Sequence, residues 1–177
     1  MDIIKLEKET HIKQVASILY EHFENWITSY EKAIGVIKET ISVERISLVA
    51  IDNENKAIGW VAGIHNYPAA WELHPLVVAK EYRYKGIGSK LMQSFENEVG
   101  NRNGRVIYLG TDDEDGLTSI YGKELFPDVL GKLKNIENIN NHPFEFYLKN
   151  GFEITGIIPD ANGFGKPDII MCKKVVM

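Results

Sequence analysis

The sequence has one cysteine, Cys172, in 177 residues, so no intrachain disulfide can form. A single unbridged thiol fits a reducing compartment, and the expectation is a cytoplasmic protein. Long apolar runs are missing too: nothing approaches the roughly 20 residues of a membrane helix. The first residues, Met1-Asp2-Ile3-Ile4-Lys5-Leu6-Glu7, interleave charge with apolar side chains, which is not the pattern of a secretory signal. Basic charge is in short supply, since 20 Lys and Arg against 25 Asp and Glu leave a net charge of −5. That balance argues against nucleic acid as a partner and suits a cationic ligand. The five histidines show no HExxH or other metal-ligand spacing, so no metal is expected. Repeats, low-complexity tracts and Pro/Gly/Ser linkers are absent, and with 44% apolar residues the expectation is a single domain spanning 1–177.

What is present is a change of hydrophobic period along the chain. Behind Thr10, read as an N-cap, Ile12, Val15, Ala16, Leu19 and Phe23 fall at helical spacing, and Ala33, Val36, Ile37 and Ile41 mark a second helix. Arg45 to Ile51 and Ala57 to His65 flank the turn residues Asp52-Asn53-Glu54-Asn55 and read as a hairpin. Trp71 to Val78 is a third strand broken by Pro75, which cannot donate to a ladder. The strand is therefore expected to split from one neighbour and leave the N–H groups near Leu76 and Val78 without ladder partners. Alternation places Glu72, His74, Leu76 and Val78 on one side until a bulge intervenes.

A helix bearing Leu91, Met92, Phe95 and Val99 follows, then a strand over 105–109 and an acidic loop. Mixed helical segments are expected over 117–139. A short helix over 142–150 is expected to end at Gly151, and strands over 152–158 and 168–176 close the chain. The order describes a mixed α/β fold around a largely antiparallel sheet.

The sharpest local signal is Arg83-x-x-Gly86-x-Gly88 between a strand and a helix. Two glycines permit close approach, and the helix start presents free N–H groups, an anion cradle suited to a pyrophosphate. Arg83 and Lys85 add charge at its edge. The third glycine of a dinucleotide fingerprint and the Gly-Lys-Ser/Thr of a Walker loop are both missing. Downstream, Phe146-Tyr147-Leu148-Lys149-Asn150-Gly151-Phe152 places a tyrosine on a helix that turns into a strand.

Together these features resemble the GNAT N-acetyltransferase superfamily. The resemblance implies a mostly antiparallel sheet split at a β-bulge and flanked by helices, with acetyl-CoA as co-substrate. It implies cofactor contacts from Leu76, Val77, Val78, Arg83, Tyr84, Lys85, Gly86, Ile87, Gly88 and Ser89, and a tyrosine, Tyr147, facing the CoA sulfur. Four further blocks are Trp71 to Val78, Tyr108 to Asp113, His142 to Tyr147 and Pro159 to Gly163. They resemble the chromosomally encoded aminoglycoside 6′-N-acetyltransferases. That resemblance implies that Glu72 contacts the substrate amine, that Asp115, Trp26 and Tyr67 help hold the antibiotic, and that the protein is a homodimer built partly by its C-terminal strands.

The residue chemistry agrees with that assignment. Glu72, beside the broken strand, is placed to take a proton from an ammonium, and His74 is a second candidate. Asp112-Asp113-Glu114-Asp115 is a surface acidic run unless a polyamine substrate uses it, and Asp112 and Asp115 are assigned to that substrate. Trp71 reads as core, and Cys172 reads as a buried structural thiol.

The expected activity is acetyl transfer from acetyl-CoA to the 6′-amine of an aminoglycoside, directly within a ternary complex, with Glu72, His74 and Tyr147 as catalytic residues. The alternatives are transfer to another amine (a polyamine, a peptide N-terminus or a lysine) and a non-catalytic acetyl-CoA-binding module.

Overall fold

In the computed structural model, which describes residues 1–23 and 26–176, the chain opens with a strand that its periodicity does not reveal. β1 (Asp2–Lys5) pairs antiparallel with β2 (Arg45–Ile51), Asp2 lying opposite Ile51. Four residues bracketed by charge are too few to show a period of two. α1 (Glu9–His22) begins after Lys8, so Thr10 lies inside the helix and is not its cap. α2 (Tyr30–Glu39) is capped by Ser29, whose side chain accepts from the Lys32 N–H at 3.1 Å. β3 (Ala57–Tyr67), β4 (Ala70–Val78), α3 (Ile87–Asn101) and β5 (Val106–Asp112) follow.

The chain divides into two compact units, residues 1–107 with 175–177, and residues 108–174. In the first, β1, β2, β3 and β4 lie in that order, each antiparallel to the next. β3 is buried from Ala57 to Gly63 because both its faces are covered. Trp60 and Ala62 join the core formed with α1 and α2. Gly59 and Gly63 turn the other way, toward α3. A Cβ on Gly63 would fall 2.3 Å from the Phe95 ring, so only glycine lets that fully buried ring lie on the strand.

The second unit holds most of β5, then α4 (Val129–Lys134), α5 (Phe144–Lys149), β6 (Glu153–Ile158) and β7 (Asp168–Lys174), with the strand order β5-β7-β6. The helical content expected over 117–139 reduces to the six residues of α4. Gly116 and Gly122 take left-handed φ of +75° and +69°, and a lone bridge between Thr118 and Asn138 ties the segment as a loop. α5 ends as expected at Gly151, φ +84°, whose N–H bonds to Leu148 O while the Phe152 N–H reaches Tyr147 O. This paired closure of the last turn is the Schellman arrangement. The seven strands of the described residues, mostly antiparallel and carrying helices, make this an α/β fold. Among the described residues no helix is long and apolar enough to cross a membrane.

Candidate active site

The ladder between β3 and β4 runs Gly59 to Val78, Trp60 to Val77 and Val61 to Leu76, then resumes with Gly63 to Leu73. His74 and Pro75 therefore share the single position opposite Ala62, which is a bulge. The Ala79 N–H donates to Ile58 O at 3.0 Å, so by antiparallel alternation the Val77 N–H also faces β3. Pro75 is the next residue in that series and has no N–H, so the ladder breaks there. The N–H groups of Leu76 and Val78 point away from β3, and simple alternation is the reason; the proline supplies the bulge.

The bulge also exchanges the faces of the strand. Beyond it, Val77 and Ala79 lie in the α1–α2 core, and Val78 faces α3 with Gly59, 3.4 Å from that glycine's Cβ position. Before it, Leu73 lies opposite Gly63 on the α3 face, which turns Glu72 and His74 to the α1–α2 side. Glu72 and His74 thus share a face with Trp26, and not with Leu76 and Val78 as unbroken alternation would have it.

The exposed His74 ring meets Trp26 edge-on at 5.2 Å, and Trp26 packs on the α1–α2 core. Glu72 is half-buried and accepts a hydrogen bond from the Asn66 side-chain amide. Tyr67, 60% exposed, stands at the tip of the β3–β4 hairpin. Trp71 is core as expected, 2% exposed, stacked on His65 at 4.7 Å with the Arg102 guanidinium 5.2 Å from its ring centre.

A 3-10 turn over Lys80–Tyr82 leads to the glycine loop. The Arg83 side chain is largely structural: Nε donates to Val78 O at 3.1 Å and Nη2 donates to His22 Nδ1 at 2.7 Å. Burial, then the Arg83 charge, lowers the His22 pKa and keeps that imidazole neutral. Lys85 Nζ donates to Glu81 O at 2.9 Å and lies over the Tyr82 ring. These contacts pin the loop and still leave two cations at its edge.

Tyr84 and Gly86 both have left-handed φ, +60° and +76°, and the Tyr84 side chain is fully exposed. A Cβ on Gly86 would meet no protein atom within 4 Å, so the space in front of α3 is open. The Lys90 N–H is the first to find its helical partner, Gly86 O. That leaves the N–H groups of Ile87, Gly88 and Ser89 as the unpaired start of the helix, with the Ile87 side chain anchored in the core. Open space, orphan donors and two flanking cations fit a pyrophosphate.

In the second unit the four-acid run is not one solvated face. Asp113 is completely buried and accepts from the Leu117 N–H at 2.9 Å, the Thr118 N–H at 2.8 Å and Thr118 Oγ1 at 2.7 Å. Burial pushes its carboxyl up, but the hydrogen bonds from Thr118 and Leu117 outweigh that and hold its pKa below the usual value. Asp112, Glu114 and Asp115 are exposed, and the Asp112 carboxylate accepts from the Asn162 side-chain amide.

His142, which the sequence offered only as part of a family block, is buried here. Its Nδ1 accepts from the Phe144 N–H at 3.1 Å, which places the proton on Nε2, and Nε2 donates to Asp112 O at 3.0 Å. Desolvation lowers its pKa. Tyr147, half-buried on α5, packs edge-on against Phe146 and Phe152, and desolvation pushes its phenol up to about 12. Cys172 is half-buried, where a buried thiol was expected, and its sulfur accepts from Thr155 Oγ1 at 3.2 Å. No group of three His, Cys, Asp or Glu gathers into a metal-binding cluster among the described residues.

These features have close counterparts. The family model for the acetyltransferase (GNAT) family matches residues 3–121. The solved structure of an aminoglycoside 6′-N-acetyltransferase complexed with coenzyme A is 34% identical, with a TM-score of 0.94 over 100% of this chain and 98% of that one. The aminoglycoside 6′-N-acetyltransferase from Enterococcus faecium is 36% identical, TM-score 0.89, over 100% and 98%. An aminoglycoside 6′-acetyltransferase type Ii is 31% identical, TM-score 0.78, over 100% and 99%. The curated proteins contain no match. With the family pattern running through residues 3–121, and with a bulged β4 followed by an open glycine loop at the start of α3, this chain belongs to the GNAT acetyltransferase family.

Proposed function

We propose that the protein transfers the acetyl group of acetyl-CoA to the 6′-amine of an aminoglycoside, directly within a ternary complex. The acceptor assignment rests on one observation: full-length likeness, at 31–36% identity, to three enzymes of that specificity. The net charge of −5 and the exposed Asp112, Glu114 and Asp115 suit a polycationic acceptor.

Acetyl-CoA supplies the activated thioester, and the chain's own residues do the rest. The N–H groups of Ile87, Gly88 and Ser89 hold the pyrophosphate, with Arg83, Tyr84 and Lys85 around it. The β4 residues Leu76 to Val78 lie along the pantetheine arm. The N–H groups of Leu76 and Val78, turned away from β3, polarise the thioester carbonyl as its oxygen gains charge, each donor contributing about 3 kcal/mol.

An ammonium has no lone pair, so its proton must leave before the nitrogen attacks the carbonyl carbon. Glu72, directly or through a water, accepts that proton, with His74 and Trp26 forming the wall beside it. As the C–N bond forms and the C–S bond breaks, the nitrogen gives up its second proton to solvent, from which Tyr147 regains the proton it lends to sulfur. The departing sulfur takes a proton from Tyr147, whose high pKa keeps the phenol protonated at any working pH. Tyr67 and Asp115 complete the acceptor contacts.

A thiol-release assay with acetyl-CoA and kanamycin, spermidine or a lysine peptide tests the assignment, with the product's acetylated nitrogen located by NMR. Turnover of kanamycin at N6′, with kcat/KM at least about 100-fold above the other amines, is expected. Turnover of the polyamine or the peptide with kanamycin left untouched would replace the acceptor, and CoA binding without turnover of any amine would make the protein a sensor.

A further inference from the structure

We propose that His142 is a positioning residue that fastens the acceptor-side acid Asp112 and the start of the tyrosine-bearing helix α5 to one neutral imidazole. Its two ring nitrogens do different work. Nε2 donates to the main-chain oxygen of Asp112 at 3.0 Å, and Nδ1 accepts from the Phe144 N–H at 3.1 Å, the first amide of α5. Pro143 precedes that helix and its side chain makes no cap hydrogen bond, so the imidazole does the work of an N-cap from one residue further out.

The backbone of His142 is held independently of its ring. Asn138 Oδ1 accepts from the His142 N–H at 2.8 Å, and Asn138 Nδ2 donates to His142 O at 2.9 Å. A change confined to the ring therefore leaves the chain path supported. One side of the clamp is Asp112, whose carboxylate is exposed and linked to Asn162. The other side is α5, which carries Tyr147 three residues beyond Phe144. Acceptor binding and the sulfur-side acid are thereby set by the two ends of one side chain. This inference rests on the proposed roles of Asp112 and Tyr147.

Two substitutions separate the arms. Asn overlays its Oδ1 on the imidazole Nδ1 and keeps the bond to Phe144, but it has nothing at the Nε2 position. Gln places its amide nitrogen near Nε2 and keeps the bond to Asp112, but it offers no acceptor to Phe144. His142→Asn is expected to raise the acceptor KM about five- to tenfold with kcat within about twofold of wild type, the size of one lost hydrogen bond. His142→Gln is expected to show the reverse, a kcat loss of similar size with the acceptor KM kept. In wild-type protein, ¹⁵N imidazole shifts at pH 7 are expected to report the Nε2–H tautomer, a readout that needs no activity.

An Nδ1–H tautomer or an imidazolium would overturn the proposal whatever the kinetics. So would two folded variants that lose kcat and KM alike, or that lose neither, since a packing residue has no arms to separate. If the wild type turns over a different amine and not the aminoglycoside, the acceptor reading fails by itself. The crossed pattern, measured with that amine, then still decides the role of His142.

Discussion

Replacing Asp113 by Asn changes a single oxygen in a fully buried carboxylate that accepts three hydrogen bonds. The cost follows from what the amide can still accept. With its oxygen at the Oδ2 position, the bonds from the Thr118 N–H and Oγ1 survive. The NH₂ group then faces the Leu117 N–H, donor against donor, where a 2.9 Å bond to a charged acceptor stood. Losing such a bond and leaving a buried donor unsatisfied costs about 2–4 kcal/mol, after allowing for relief of the buried charge. At the roughly 2–4 °C per kcal/mol typical of a chain this size, the melting temperature should fall by about 5–15 °C.

The acid side gives an independent check on the sign. The Asp113 pKa lies below its ordinary 3.8 when folded, so its stabilisation is fully present above about pH 4 and is lost as pH falls through the folded value. His142 and His22 are both held neutral by burial, while the unfolded chain protonates both below about pH 6.5, so stability should already decline from there downward. Urea titrations at several pH values should show both slopes in the wild type and a shallower acid slope in Asp113→Asn, where Asp52, its carboxyl also held low by hydrogen bonds from the Lys56 and Glu54 N–H groups, keeps its own share. A variant within about 0.5 kcal/mol of wild type, with the acid slope unchanged, would show that this network does not hold the loop.

The remaining predictions concern chemistry. Glu72→Gln removes basicity while keeping shape, and kcat/KM for the acceptor should fall about 100-fold or more, with part of kcat recovered as pH rises and the amine arrives neutral; near-wild-type kinetics would transfer the base role to His74. Gly86→Ala meets no protein atom but must adopt φ +76°, so it should cost about 1 kcal/mol of stability and raise the acetyl-CoA KM more than about fivefold with the acceptor KM spared, as read by calorimetry and steady-state kinetics. Tyr147→Phe should lower kcat by about tenfold, uniformly from pH 6 to 9, because a phenol with a pKa near 12 does not titrate there; a basic limb in that range that disappears in the variant would refute the assignment.

Much of this was legible in the sequence where period and punctuation were strong. The α3 stripe, the hairpin of β2 and β3, the Gly151 cap and the glycine loop all declare themselves through spacing that local physics enforces. β1 did not, because four residues carry almost no period and its pairing with β2 is made across more than 40 residues of chain. The segment over 117–139 misled because its apolar residues fall near helical spacing while left-handed glycines and the Thr118–Asn138 bridge hold a loop. Asp113 and His142 were hidden for a different reason. An acid within a run of acids reads as solvated, and only the fold reveals that one of the four turns inward to meet Thr118. The Arg83 charge was visible, but its use on Val78 O and His22 depends on contacts made by α1.

The bulge at His74 and Pro75 shows how one extra residue can sort the groups of a strand. In an unbroken strand, Glu72, His74, Leu76 and Val78 would all project from one face. The aliphatic side chains of Leu76 and Val78 would then crowd the side on which, in the proposed mechanism, Glu72 meets a hydrated ammonium. With two residues opposite Ala62, those side chains pass to the α3 face, while Glu72 and His74 stay beside Trp26. The N–H groups of Leu76 and Val78 are unaffected by that exchange, because amides lie in the plane of the sheet and point along it. The proposed acceptor face is thus cleared without moving the donors assigned to the thioester. Deleting His74 or Pro75 would not undo this, since one residue would still face Ala62, and Leu73 and Leu76 would keep their partners. Inserting one residue after Ala62 gives His74 and Pro75 a partner each, restores even alternation and returns Leu76 and Val78 to the side of Glu72. Such an insertion should abolish transfer while CoA still binds. Retained transfer in that insertion, or loss of CoA affinity together with it, would mean that the bulge does not separate the two sides of the reaction.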